Sequence, residues 1–203
     1  MKLPYNIKFT GDLSLEDAGV LLDYANQSAD ILEFGSGGST QLFSQSTAKT
    51  IVSVETDPGW IALTKSRLNL LDKIPVTFIE YTTKFNQEFD LIFVDGIDYL
   101  RREFAIETWK YLRVGGTMIF HDTRRFGDFQ NCAWVAQLYF NEISQILVNT
   151  HNSNITVLHK KAHEPYVNWN HTENKPQWAY GIPDGADREL WEYKPDELFT
   201  TSP

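Results

Sequence analysis

Apolar residues along this chain recur in two rhythms. From Ser14 to Ala29 they fall at three- and four-residue steps, at Leu15, Ala18, Leu22 and Ala25, behind a capping serine, which predicts a helix. Val20 and Leu21 widen its apolar face. Beyond it, short apolar runs alternate with longer mixed stretches. Asp30–Phe34, Ile51–Glu55, Val76–Tyr81 and Phe89–Gly96 read as strands. Helices are predicted over Thr40–Gln45, from Asp57 to about Leu71, over Tyr99–Tyr111 and over Asn131–Ile143. A turn through Gly115 and Gly116 leads into a fifth strand that ends at His121-Asp122. Ile146–Asn149 and Asn154–His159 read as a closing antiparallel pair. The unbroken apolar run Leu91–Val94 asks for cover on both faces, as in a parallel sheet. The pattern predicts an α/β fold: a doubly wound, mostly parallel sheet of seven strands with an antiparallel last strand.

The chemistry gathers where strands end. Ile31-Leu32-Glu33-Phe34 breaks into Gly35-Ser36-Gly37-Gly38-Ser39-Thr40. Glycines let a ligand approach the backbone, and Ser39 or Thr40 can cap the helix that follows. Strand, glycine turn and helix make a nucleotide-type site. It lacks the third glycine of a dinucleotide fingerprint, because Thr40 stands in its place, and it lacks the lysine of a phosphate loop. Glu33 beside the turn suits a cationic ligand better than a pyrophosphate. The second predicted strand ends at Glu55, 22 positions after Glu33 and followed by Thr56. A carboxylate there can accept both hydroxyl hydrogens of a ribose. Trp60 either covers an adenine or packs beneath the sheet.

The block Glu33-Phe34-Gly35-Ser36-Gly37-Gly38-Ser39-Thr40 closely resembles motif I of class I S-adenosylmethionine-dependent methyltransferases. Asp95-Gly96 at the end of the fourth strand, and Leu112-x-x-Gly115-Gly116 before the fifth, resemble further motifs of that superfamily. The resemblance implies a Rossmann-like fold and S-adenosylmethionine as the cofactor. It implies a cofactor site of Glu33, Gly35, Ser36, Gly37, Ser39, Thr40, Glu55, Thr56, Asp95 and Gly96. Transfer to a hydroxyl needs a base, and Asp95, His121 and Asp122 are the candidates. Magnesium held by Asp95, Asp122 and Asp98 ranks behind a metal-free site. His121-Asp122-Thr123-Arg124-Arg125 is similar in outline to sugar O-methyltransferases of the glucuronoxylan type. That likeness implies a small-molecule or glycan acceptor, with Arg101 and Arg125 as acceptor-binding residues.

Composition trims the alternatives. Net charge is −9, which disfavours a protein built to grip a nucleic-acid backbone. Amino-DNA methyltransferases usually carry Pro-Pro and an aromatic after the fourth strand, where this chain has Gly96-Ile97-Asp98. A protein methyltransferase, or a cofactor binder without transfer activity, stays open. The one cysteine, Cys132, permits no internal disulfide, and no stretch is long enough to span a membrane. The amino-terminal stretch lacks the apolar core of a secretion signal, so a cytoplasmic protein is the simplest reading. Oligomeric state stays open. Residues 1–160 are expected to form the methyltransferase domain, with 161–203 an irregular aromatic extension packed on it. The rings of that extension either anchor it or line an acceptor pocket.

Overall fold

The computed structural model describes residues 13–69 and 74–162. The aromatic extension beyond residue 162 lies outside the described residues. Helix α1 (Leu15–Ala25) leads into β1 (Asp30–Phe34), α2 (Gly38–Phe43), β2 (Thr50–Val54), α3 (Pro58–Leu68) and β3 (Val76–Ile79). Then follow β4 (Phe89–Val94), α4 (Asp98–Thr108), β5 (Leu112–Phe120), α5 (Phe126–Leu138), β6 (Ile143–Leu147) and β7 (Thr156–Lys160). The seven strands form one sheet in the order β3-β2-β1-β4-β5-β7-β6. Strands β1 to β5 pair in parallel, and β7 runs antiparallel to both β5 and β6. This is the Rossmann-like α/β architecture, with the reversed strand that the closing pair predicted.

Alternation along the central strands explains the two-sided core. Ile92 and Val94 of β4 pack with Leu32, Phe34, Phe104, Cys132 and Val135 on one face. Leu91 and Phe93 pack with Ile31, Leu42, Phe43 and, from α1, Ala18 and Leu21 on the other. No helix among the described residues is long and apolar enough to cross a membrane.

Boundaries moved where packing overrode local pattern. Helix α2 begins at Gly38, two residues before the predicted start, so Ser39 and Thr40 lie in its first turn and Gly37 takes the cap position. Helix α5 begins at Phe126, five residues before Asn131, and ends at Leu138. Buried Phe129 explains the early start: its ring is 1% exposed, and a turn closed from Arg125 N–H to Asp122 O delivers it. Strand β6 begins at Ile143 because the preceding turn is anchored at Glu142, which accepts from Trp109 Nε1 at 2.9 Å and faces Lys160 Nζ at 3.4 Å.

The register decides where the chemistry lies. Phe34 pairs with Val54 and Val94, and Val94 pairs with Phe120, so β1, β2, β4 and β5 end level. Each ladder then runs one step further. Gly35 N–H donates to Val54 O (2.9 Å), Glu55 to Ile79 O (3.1 Å), Asp95 to Phe34 O (3.0 Å) and His121 to Val94 O (3.2 Å). Four residues singled out from sequence thus hang from one sheet edge by their own main chain.

Candidate functional site

A cavity of about 320 Å³ opens at that edge. Its lining includes Gly35, Ser36, Gly37 and Ser39 from the glycine turn, Glu55 and Thr56 after β2, Asp95 and Gly96 after β4, and His121 after β5. Trp60, read from sequence as an adenine cover or a packing ring, lies in the wall, and Leu13, Asp57 and Ile97, which the sequence did not single out, complete much of it. Their signal was only proximity to the assigned motifs. Glu33, Thr40, Asp122, Arg101 and Arg125 do not line the cavity.

The two loops that bracket the cavity touch. Gly35 has φ +93°, and a Cβ built on it would sit 2.1 Å from Gly96 N. Gly96 has φ +50°, with the Phe34 ring where its own Cβ would be. Both positions need a residue without a side chain.

Beneath the turn, Glu33 is fully buried. It accepts hydrogen bonds from the hydroxyls of Ser39, Thr40 (2.6 Å) and Ser53 (2.7 Å). Thr40 in turn accepts from Gly37 N–H at 2.8 Å. The motif acid therefore braces the turn from below. Burial pushes its pKa up to about 7, against the pull of the three hydroxyls.

Glu55 is 7% exposed and holds the turn from the β2 side. One oxygen accepts from Ser36 N–H at 2.8 Å, the other from Thr56 N–H at 2.7 Å and Asp57 N–H at 2.9 Å. Asp57 then caps α3 through Gly59 N–H. The spacing of Glu33 and Glu55, read from sequence, thus becomes two carboxylates fixing opposite sides of one loop.

The far wall is an ion-pair cluster. Arg101 is 6% exposed, not at the surface, and does not reach the cavity. Its guanidinium meets Asp95 (2.8 Å), Asp98 (3.2 Å), Asp128 (2.6 Å) and Asp122 (3.5 Å), and its Nε donates to Gly96 O (3.0 Å). The expectation that it grips an acceptor is corrected on this ground: five oxygens of the protein occupy it. Arg125 is half-exposed and pairs with Asp122 and, at 2.9 Å, with Asp128. Asp122 has φ +59° and accepts from Asn154 Nδ2 at 2.9 Å. A left-handed aspartate held from three sides is strained backbone at a candidate site.

His121 sits between acids. Nε2 faces Asp17 Oδ2 at 3.4 Å, and Nδ1 faces Asp95 Oδ2 at 3.4 Å and Asp122 Oδ1 at 3.6 Å. Burial alone would lower its pKa, but the surrounding carboxylates of Asp17, Asp95 and Asp122 prevail and push it up to about 10. The ring is an imidazolium at neutral pH, its pKa well above the ordinary histidine value of about 6.5. Burial would raise the pKa of Asp95, yet His121 and Arg101 hold it below the usual carboxylate range.

Donor atoms of Asp95, His121 and Asp122 lie within 4.8 Å of one another, near enough to share a cation. Arg101, Arg125 and the imidazolium itself already neutralise them. A divalent ion would have to displace these, so the donor set does not fit a metal.

Comparison with known proteins agrees with this geometry. Residues 32–123 match the methyltransferase domain family. Among curated proteins none matches. A methyltransferase-like protein from Silicibacter pomeroyi superposes with a TM-score of 0.59 at 17% identity, over 79% of this chain and 93% of that one. The O-methyltransferase from Bacillus cereus, solved with SAH, gives 0.57 at 19% identity over 78% and 84%. The O-methyltransferase TomG from Streptomyces achromogenes, solved with SAM, gives 0.58 at 16% identity over 74% and 82%. At these identities the likeness is one of fold. Strand order and motif agree with the Rossmann-like methyltransferase fold, and residues 32–123 are similar to a methyltransferase domain.

Proposed function

We propose that the protein transfers a methyl group from S-adenosylmethionine to an oxygen of a small molecule or sugar. The charge of the cavity wall carries this reading. Glu55, Asp57 and Asp95 bring carboxylates to it against the imidazolium of His121, and no lysine or arginine lines it among the described residues. A sulfonium with an α-ammonium fits such a wall, and a pyrophosphate does not. The Bacillus cereus and Streptomyces achromogenes neighbours, solved with SAH and SAM, support the choice of donor.

In this reading the glycine turn and Asp95 hold the methionine end, and Glu55 and Thr56 hold the ribose side. A bound sulfonium supplies a methyl group already activated for in-line displacement, its bonding pair staying on sulfur. The protein's part is alignment, exclusion of water and removal of the acceptor proton. His121 Nδ1, freed of its own proton, takes that proton. A cation bound nearby lowers the pKa of the imidazolium by like-charge repulsion, so donor binding favours the basic form. Asp95 balances the donor's charge, and Asp122 with Arg125 fixes the edge of the acceptor side.

Calorimetry with S-adenosylhomocysteine tests the donor site, and detection of a methylated product then separates an enzyme from a binder. Glu55→Ala is expected to weaken that binding by about 1–3 kcal/mol, roughly 5- to 150-fold, through loss of charged hydrogen bonds. An unchanged affinity would refute the ribose-side role of Glu55.

A further inference from the structure

One buried acid at the site belongs to none of the motifs. Asp17 lies in the first turn of α1, outside the family-matched residues 32–123, and is 2% exposed. Part of its work is local: it accepts from Ser14 Oγ at 2.7 Å and from Ser14 N–H at 3.3 Å in a capping box. A cap of this kind functions at the surface and needs no burial. The same carboxylate accepts from Asn154 N–H at 2.6 Å, in the turn before β7, and faces His121 Nε2 at 3.4 Å. It therefore joins α1 to the end of β5 and to the last hairpin.

We propose that Asp17 is a positioning residue for the transfer step: it holds Nε2–H of His121, so that Nδ1 is the nitrogen turned toward Asp95 and Asp122. The inference rests on the reading of His121 as the base. The groups facing the ring are Asp17 from α1, Asp95 after β4 and Asp122 after β5. Arg101 from α4 and Arg125 ahead of α5 lie behind those acids, paired with Asp95 and Asp122. Buried Nδ1 has no aligned hydrogen-bond partner among the described residues, whereas Nε2 has Asp17. With Nε2–H donated to a carboxylate, the neutral ring is the tautomer with its lone pair on Nδ1, beside the cavity-lining Asp95. One carboxylate thus sets both the orientation of the ring and the nitrogen from which the proton leaves. Loss of its negative charge also removes part of what keeps the imidazolium protonated.

Long-range ¹H–¹⁵N correlation of the histidine rings in the full-length protein tests this without donor or acceptor. In the wild type, neutral His121 is expected as the Nε2–H tautomer, appearing only at alkaline pH. In Asp17→Asn its titration midpoint is expected to fall by about one unit or more, with a mixed tautomer. Ser14→Ala, which removes the cap and keeps the carboxylate, should leave the midpoint in place. A wild-type Nδ1–H tautomer, an unmoved midpoint in Asp17→Asn, or an equal shift in Ser14→Ala would each overturn the proposal. The wild-type tautomer decides even if Asp17→Asn does not fold. In turnover, Asp17→Asn should lower kcat roughly 10- to 100-fold with donor affinity kept, and should move the rising limb of the pH profile to lower pH. If the ring behaves as expected but no methyl transfer is found, the proposed function fails while the positioning of His121 by Asp17 stands.

Discussion

Replacing Gly35 with alanine is expected to abolish donor binding in calorimetry and to lower the melting temperature. Two penalties coincide at this position. The backbone is left-handed at φ +93°, which costs a residue with a side chain about 1–2 kcal/mol. The added methyl would stand 2.1 Å from Gly96 N and 2.5 Å from Gly96 Cα, inside any tolerable contact, with main chain and not a flexible side chain in the way. Overpacking of that kind costs a further ~1–3 kcal/mol and can be relieved only by parting the two loops. Both loops line the cavity, so relief and function conflict. Gly127→Ala is the matched control. Nothing lies within 4 Å of its Cβ position, and it sits exposed in α5, where alanine is the better helix former by ~1 kcal/mol. Retained donor binding in Gly35→Ala would show that the loops do not need their present contact.

The second large effect is expected at Arg101. Arg101→Met keeps the volume and removes the charge, leaving Asp95 and Asp128 near each other without the cation they share. Breaking a buried pair from one side costs about 3–5 kcal/mol, because the remaining charge stays desolvated. For a chain of this size that corresponds to a melting shift of roughly 10 °C. Asp128 shows the tension already: burial raises its pKa although Arg101 and Arg125 pull it down. Arg101→Lys should recover only part of the loss, since one ammonium cannot reach the five oxygens that the planar fork meets. A melting shift below ~2 °C in Arg101→Met would mean that the cluster is solvated in practice.

These two positions mark what the sequence could and could not disclose. Gly35 was legible because strand, glycines and hydroxyls are contiguous, and β1 lies over Asp30–Phe34, the predicted span. The level ends of β1, β2, β4 and β5 emerge only in the register of the assembled sheet. Arg101 and Asp17 were not legible. An arginine in an amphipathic helix looks like a solvated charge, and an aspartate in a capping box already has a local explanation. Their roles come from contacts made across the chain, Arg101 with Asp128 and Asp17 with Asn154 and His121. Helix α5 was misplaced for a related reason. Gly127 and the charged pair before it interrupt the periodicity, while the burial of Phe129, invisible locally, fixes the true start.

Glu55, Asp95 and His121 each take their place from their own amide hydrogen, donated to the carbonyl of an adjoining strand. Location and reactivity are therefore assigned to separate atoms at these three positions. Exchanging one of those side chains deletes a functional group but leaves the peptide that carried it anchored, so coupling energies from double substitutions there should reflect interaction between the groups themselves and not a shifted scaffold.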